Sequence, residues 1–148
     1  MKEFPLDRSE TRDNFAHFLD IPTRWNDNDQ YGHVNNAKYH SFYELVVAHY
    51  LEVLNGLDLN NGPVKPFTAE NLCRYHSSLA FPDVVEAGLR VARLGNSSVR
   101  YELGLFAKGR EPVCATGYFV DVFVDSASQR PTTIPDNLRE VLSRLVIE

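Results

Sequence analysis

One long apolar stripe of helical period constrains this chain more than any other feature. Ala37, Tyr39, Phe42, Tyr43, Val46, Val47, Tyr50, Leu51 and Leu54 recur at three- and four-residue steps, which places them on one broad side of an α-helix. Asn35 or Asn36 offers a cap for the first free amides, and Asn55-Gly56 offers a left-handed stop. A stripe that wide needs apolar cover on more than one side. The rest of the chain therefore has to wrap this helix.

The remaining segments supply a period of two. Cys73, Tyr75, Ser77, Leu79 and Phe81 alternate with Arg74, His76, Ser78 and Ala80 until Pro82-Asp83 breaks the pattern. Val84 to Leu94 reads as the next strand, and Gly95-Asn96 as a tight hairpin turn. Val99, Tyr101, Leu103 and Leu105 line one face of the strand that follows. Lys108-Gly109-Arg110 turns the chain again, and the almost wholly apolar run Val113 to Val124 suits a central strand covered on both sides. Ahead of the helix, Phe15 to Trp25 reads as a short edge strand interrupted by Pro22. After the sheet, Pro135 opens a short helix with Leu138, Val141, Leu142 and Leu145 on one face. The expected order is strand, long helix, four antiparallel strands joined by hairpins, and a terminal helix. That is one α+β domain over residues 1–148, with 1–14 as a flexible or loosely packed arm.

Composition narrows the function. A net charge of −5 lacks the basic footprint of a nucleic-acid binder. At 148 residues the chain can bury a core without metals or disulfides. Cys73 and Cys114 lie far apart in apolar runs and read as buried free thiols of a reducing compartment. No apolar run approaches the ~20 residues of a membrane helix, and no secretory leader is visible, so a cytoplasmic protein without membrane contact is expected. His40 and His49 fall on opposite faces of the helix, and no metal-ligand spacing, phosphate loop or dinucleotide glycine string is present. No metal and no cofactor are expected.

Polar side chains crowd the stretch before the helix: Arg24, Asn26, Asp27, Asn28, Asp29, Gln30, His33, Asn35 and Asn36, with Gly32 among them. Unpaired amides at a helix start can polarise a carbonyl, with the positive end of the dipole behind them. A nearby carboxylate can deliver oxygen to that carbonyl, as nucleophile or as general base.

The string Asp27-Asn28-Asp29-Gln30-Tyr31-Gly32-His33-Val34-Asn35-Asn36-Ala37-Lys38-Tyr39, with Phe42, Tyr43 and Glu44, resembles the signature of hotdog-fold thioesterases. It is closest in kind to the 4-hydroxybenzoyl-CoA thioesterase and acyl-CoA thioester hydrolase branch, and its Gly-His-Val-Asn-Asn part is also similar to acyl-ACP thioesterases. The resemblance implies a curved antiparallel sheet wrapped around one long helix, assembly as a homodimer or dimer of dimers, and an acyl-CoA or acyl carrier protein thioester as substrate. Carried over by position, the catalytic carboxylate falls on Asp29 and the carbonyl-polarising amide at or beside Asn36. The chain departs from the family where Pro82 is followed by Asp83-Val84-Val85-Glu86 rather than Gly-Asp. Around the first hairpin, Leu94-Gly95-Asn96 leaves only Arg93 as a basic residue.

The other polar residues have two readings each. Asp27 suits a structural role, bonding Arg24 or loop amides. His33 either hydrogen-bonds loop backbone or acts directly, and Asn35 and Asn36 either cap the helix or touch substrate. Gly32 permits a positive φ. Glu44 is a reserve catalyst, because another hotdog branch carries its carboxylate on the helix. Arg93, Lys108 and Arg110 are expected to cluster at hairpin ends as contacts for CoA phosphates or as a solvated rim. Two other functions on the same fold compete with hydrolysis: an enoyl-CoA hydratase or dehydratase, and a non-catalytic acyl-CoA-binding module.

Overall fold

The computed structural model describes residues 2–148. In chain order the elements are β1 (His17–Pro22), α1 (Lys38–Ala48), β2 (Val64–Tyr75), β3 (Val84–Leu94), β4 (Ser98–Ala107), β5 (Val113–Asp125) and α2 (Asp136–Ser143). The strands form one antiparallel sheet in the order β1-β3-β4-β5-β2. Its concave face wraps α1, which is the hotdog arrangement that the helix motif implies.

α1 buries Tyr39, Phe42, Tyr43, Val46 and Val47. The helix does not stop at Ala48 but widens into a π-helical segment, His49–Leu54, which buries Tyr50 and Leu51. The stop falls where the sequence predicts. Gly56 takes φ +65°, its N–H bonds the Glu52 carbonyl, and the Leu57 N–H bonds the Leu51 carbonyl. Facing the helix are Leu89, Val91, Val99, Tyr101, Leu103, Leu105, Ala115 and Phe119. α2 closes one end of this core through Leu138, Val141 and Leu142, and the Tyr50 hydroxyl donates to the Val141 carbonyl at 2.7 Å.

The sheet departs from expectation at β2. Of the strand expected over 73–81 only Cys73–Tyr75 is strand, the end of a longer one, Val64–Tyr75, that begins just after Asn60-Asn61-Gly62-Pro63. β2 pairs with β5 across the sheet rather than forming a hairpin with β3. As an edge strand it exposes most of its side chains, so main-chain bonds rather than apolar alternation hold it in place. The alternation past Tyr75 serves a connection instead, in which Leu79 is buried and its carbonyl accepts the Val34 N–H at 2.7 Å.

The lead-in segment is mostly exposed but anchored to the sheet at two buried points. Leu6 and Glu10 are buried against the outer face of the sheet, and Phe15 stacks over Gly88 and Gly104. The two glycines face each other across β3 and β4, and a Cβ on either would sit within 2.8 Å of the Phe15 ring. Arg90, 1% exposed, is the anchor. Its guanidinium bonds Glu10 at 2.7 and 3.0 Å and Glu102 at 2.9 Å. The Phe4 and Phe15 rings lie 4.1 and 4.6 Å from it. Burial pushes the Glu10 carboxyl up, but hydrogen bonds from Arg90 and Asn14 more than offset this and hold it below the ordinary 4.5. The stabilisation from this group is therefore complete above that value and is lost as pH falls through the lowered one. Arg90→Ala leaves the buried Glu10 carboxylate without its counter-charge and Glu102 with Arg100 alone, and should cost about 3–5 kcal/mol in urea unfolding.

Candidate active site

The polar stretch folds into a short loop stitched to its surroundings by its own backbone. A single 3₁₀ turn, Trp25–Asp27, opens it. Asp27, buried, accepts from the Arg24 N–H at 2.8 Å and pairs with the Arg24 guanidinium at 3.3 Å. Its carbonyl accepts the Asn35 N–H. Asp27 thus has the scaffold role expected of it. Asn28 and Val34 then form a bridge, and the loop between them closes through Asp29 N–H to the His33 carbonyl at 2.8 Å and Gly32 N–H to the Asp29 carbonyl at 3.1 Å. Gly32 takes φ +82° to make that closure.

Asp29 is half-buried at the base of this loop. Its Oδ1 accepts the Tyr31 N–H at 2.9 Å. Its Oδ2 has no hydrogen-bond partner among the described residues. One carboxylate oxygen is fixed and the other is available.

The chain then enters the helix through a turn rather than at once. The Asn35 side chain accepts the Ala37 N–H at 2.9 Å, and its carbonyl accepts the Lys38 N–H at 2.9 Å. Neither asparagine caps α1 as expected: the N-cap is Ala37 with no side-chain cap bond, because the turn made by Asn35 comes between the asparagines and the helix. The Asn36 carbonyl accepts from the Tyr75 hydroxyl at 3.0 Å. The amides of Asn35, Ala37 and Lys38 are all occupied. The Asn36 N–H has no acceptor among the described residues, so it is the free donor at the start of the helix.

A cavity of about 290 Å³ opens beside it, lined by His33, Val34, Asn36, Tyr39 and Tyr75 among others. Tyr39 links this wall to the loop. Its hydroxyl accepts the Leu79 N–H at 3.3 Å, and burial is the chief cause that pushes its phenol up. Tyr75 is pushed up to about 12, chiefly by burial. Tyr75 was not singled out from the sequence, and no local signal marks it. Its place beside the helix start depends on β2 running along α1. The His33 ring is exposed on the cavity wall and makes no hydrogen bond among the described residues; only its carbonyl holds the loop.

The remaining residues lie elsewhere. Glu44 sits two helical turns beyond Asn36, in a separate groove with Asp121. The three basic residues do not cluster. Arg93 pairs with Arg100 at one end of the β3–β4 ladder. Lys108 and Arg110 flank the β4–β5 turn, about 25 Å further along the strand. An antiparallel strand as long as β4 keeps its two hairpins apart. Lys108 pairs with Asp20 at 2.7 Å and Arg110 with Asp83 at 3.0 Å. Thr23 bonds the Asp83 carbonyl, so these two stand at the end of the sheet that carries the Asp29 loop. Cys73 and Cys114 are free, and no metal-binding group of three or more His, Cys, Asp or Glu occurs among the described residues.

A family model described as the thioesterase-like superfamily matches residues 23–142, from the start of this loop through α2. The chain belongs to that superfamily. Among solved structures, this thioesterase-like chain is 49% identical to the PA5185 protein of Pseudomonas aeruginosa, covering 92% of this chain and 95% of that one with a TM-score of 0.88. It is 32% identical to the PA2801 protein of the same organism, over 85% and 97% of the two chains, with a TM-score of 0.76. The DHNA-CoA thioesterase of Staphylococcus aureus shares the fold at 17% identity, over 86% and 88% of the chains, with a TM-score of 0.76.

Loop closure depends on the left-handed residue. No atom lies within 4 Å of a Cβ placed on Gly32, so Gly32→Ala tests backbone strain alone. It should lower stability by about 1 kcal/mol in urea unfolding.

Proposed function

We propose that this member of the superfamily hydrolyses an acyl-CoA thioester. Water supplies oxygen to the carbonyl carbon, the C–S bond breaks, and the departing thiolate takes up a proton. The observation that carries the reading is the free Asn36 N–H at the start of α1, on the wall of a cavity. A carbonyl oxygen placed there meets a main-chain donor backed by the helix dipole, and that donor becomes more valuable as the oxygen gains charge. Asp29 is the catalytic carboxylate, and its free Oδ2 is the working atom. It either attacks the carbonyl to give an anhydride that water opens, or removes a proton from an attacking water. Lys108 and Arg110, at the same end of the sheet, are the contacts for the charged part of CoA, each exchanging its present carboxylate partner for phosphate. Arg93 has no part in this. Transfer from an acyl carrier protein is the same chemistry with a different thiol.

The exposed edge of β2 supports assembly with a second copy of the chain. It offers a row of unpaired main-chain groups flanked by Phe67 and Tyr75, 64% and 46% exposed. Light scattering should give a mass twice or four times that of a single chain; a monomer would overturn this part.

Asp29→Asn should lower kcat for thiol release from acyl-CoA at least about a hundredfold in a folded protein. Unchanged turnover would remove Asp29 from the mechanism, and Glu44→Gln assayed in parallel would show whether the helix carboxylate acts instead.

A further inference from the structure

Two chambers lie along α1, and a row of side chains divides them. The first is the cavity of about 290 Å³ at Asn36. The second is a groove between α1 and β2, made of two adjoining cavities of about 510 and 300 Å³ that share Glu44 and Ala48. Asn36 on the first and His40 on the second are about one helical turn apart. Among the described residues, none lines both chambers.

The divider runs from helix to strand and back. The Tyr75 hydroxyl donates to the Asn36 carbonyl at 3.0 Å. The Cys73 thiol interacts with that hydroxyl and lies 3.3 Å from the hydroxyl of Tyr43. Tyr43 is fully buried, so the row ends in the core. The Tyr39 ring packs edge-on to Tyr75, with centroids 4.9 Å apart and planes at 75°, and backs the row on the side of the first chamber. Burial pushes Cys73, Tyr43 and Tyr75 above their ordinary values, Tyr75 to about 12. All three stay protonated near neutral pH, and the row does not open by ionisation.

The chambers differ in what they offer an acyl chain. Small-molecule sites span about 300–1,000 Å³, and the chamber at Asn36 falls at the lower end of that range. Its lining is mixed, with His33, Ser77 and Ser78 beside Val34, Tyr39 and Tyr75. The apolar walls that reward each added methylene belong to the groove, at Leu45, Val47, Leu51 and Phe119. A chain whose carbonyl sits at the Asn36 amide meets Tyr75 before it reaches them.

We propose that the substrate's acyl group is short, held wholly in the chamber at Asn36, and that Tyr75 is the specificity residue that keeps longer chains out of the groove. This rests on the hydrolytic reading above. Carbons beyond the chamber either displace the Tyr75 ring or stay in water, and both forfeit affinity.

Straight-chain acyl-CoAs from acetyl to palmitoyl measure the limit. kcat/KM should peak at butyryl or hexanoyl and fall by about tenfold or more at decanoyl. Tyr75→Ala removes the ring together with the bond to Asn36, so the readout is the decanoyl-to-butyryl ratio rather than the rate. That ratio should rise about tenfold or more. Tyr75→Val, a residue suited to a strand, gives the same readout if the alanine variant does not fold. Wild-type protein that turns over decanoyl-CoA as well as butyryl-CoA, or a ratio unmoved in the folded variants, overturns the proposal. Calorimetry with the thioethers S-butyl-CoA and S-decyl-CoA, which cannot be hydrolysed, reads the limit without turnover, and the butyl compound should bind more tightly. Tighter butyl binding with no thiol release from any acyl-CoA would sink the hydrolytic reading alone. Thiol release with the decyl compound bound as tightly or more tightly would sink this inference alone.

Discussion

The seating of α1 in the concave face of the sheet governs the rest of the molecule. Tyr43 shows how tight that seat is. Its ring lies where a side chain at Gly117 would project, with a Cβ there only 2.8 Å from the ring. The tyrosine is fully buried between helix and sheet. Each large apolar side chain buried from α1 contributes about 1.5–3 kcal/mol relative to exposure. Tyr39, Phe42, Tyr43, Val46 and Val47 together fix the helix axis against the strands. Once that axis is fixed, so is the place where its first amides emerge, and the loop from Arg24 to Asn36 has to deliver them there.

Delivery is the work of ordinary polar groups. Asp27 ties the start of the loop to Asn35 near its end, Asn28 ties it to Phe81, and Val34 ties it to Leu79. With Asn35 holding the Ala37 and Lys38 amides as well, the main-chain donors on either side of Asn36 are occupied and its own N–H is left unused. The density of aspartate and asparagine in this stretch is thus mostly construction. In the proposed hydrolysis the chemistry would rest on one carboxylate oxygen and one amide within it.

Much of this was legible in the sequence, for reasons of locality. The period of 3.6 and the Asn55-Gly56 stop are contained within α1 and its end. Gly95-Asn96 and Lys108-Gly109-Arg110 each announce a hairpin whose strands are neighbours in the chain, and Gly109 takes the positive φ such a turn uses. What could not be read depends on distant partners. β2 is held by β5, roughly fifty residues away, and its exposed side chains carry no alternation to betray it. The arm is anchored at Leu6 and at Glu10, whose partner Arg90 lies far along the chain. The separation of Arg93 from Lys108 follows from strand length, which residue types alone do not show. Asp121 joins Glu44 only because α1 and β5 share the concave face.

The free donor at Asn36 belongs to the peptide backbone, and this sets how the site can change. Any residue at that position presents the same N–H except proline, which has none. On the proposed reading, carbonyl polarisation is a property of the path of the chain, insulated from drift in the side chain that happens to occupy the position. The groove walls have no such protection. His40, Glu44, Thr68 and Asp121 line the groove with their side chains, and one codon change at any of them alters its shape or charge. A fold arranged in this way can keep a reaction while exchanging the molecules it serves.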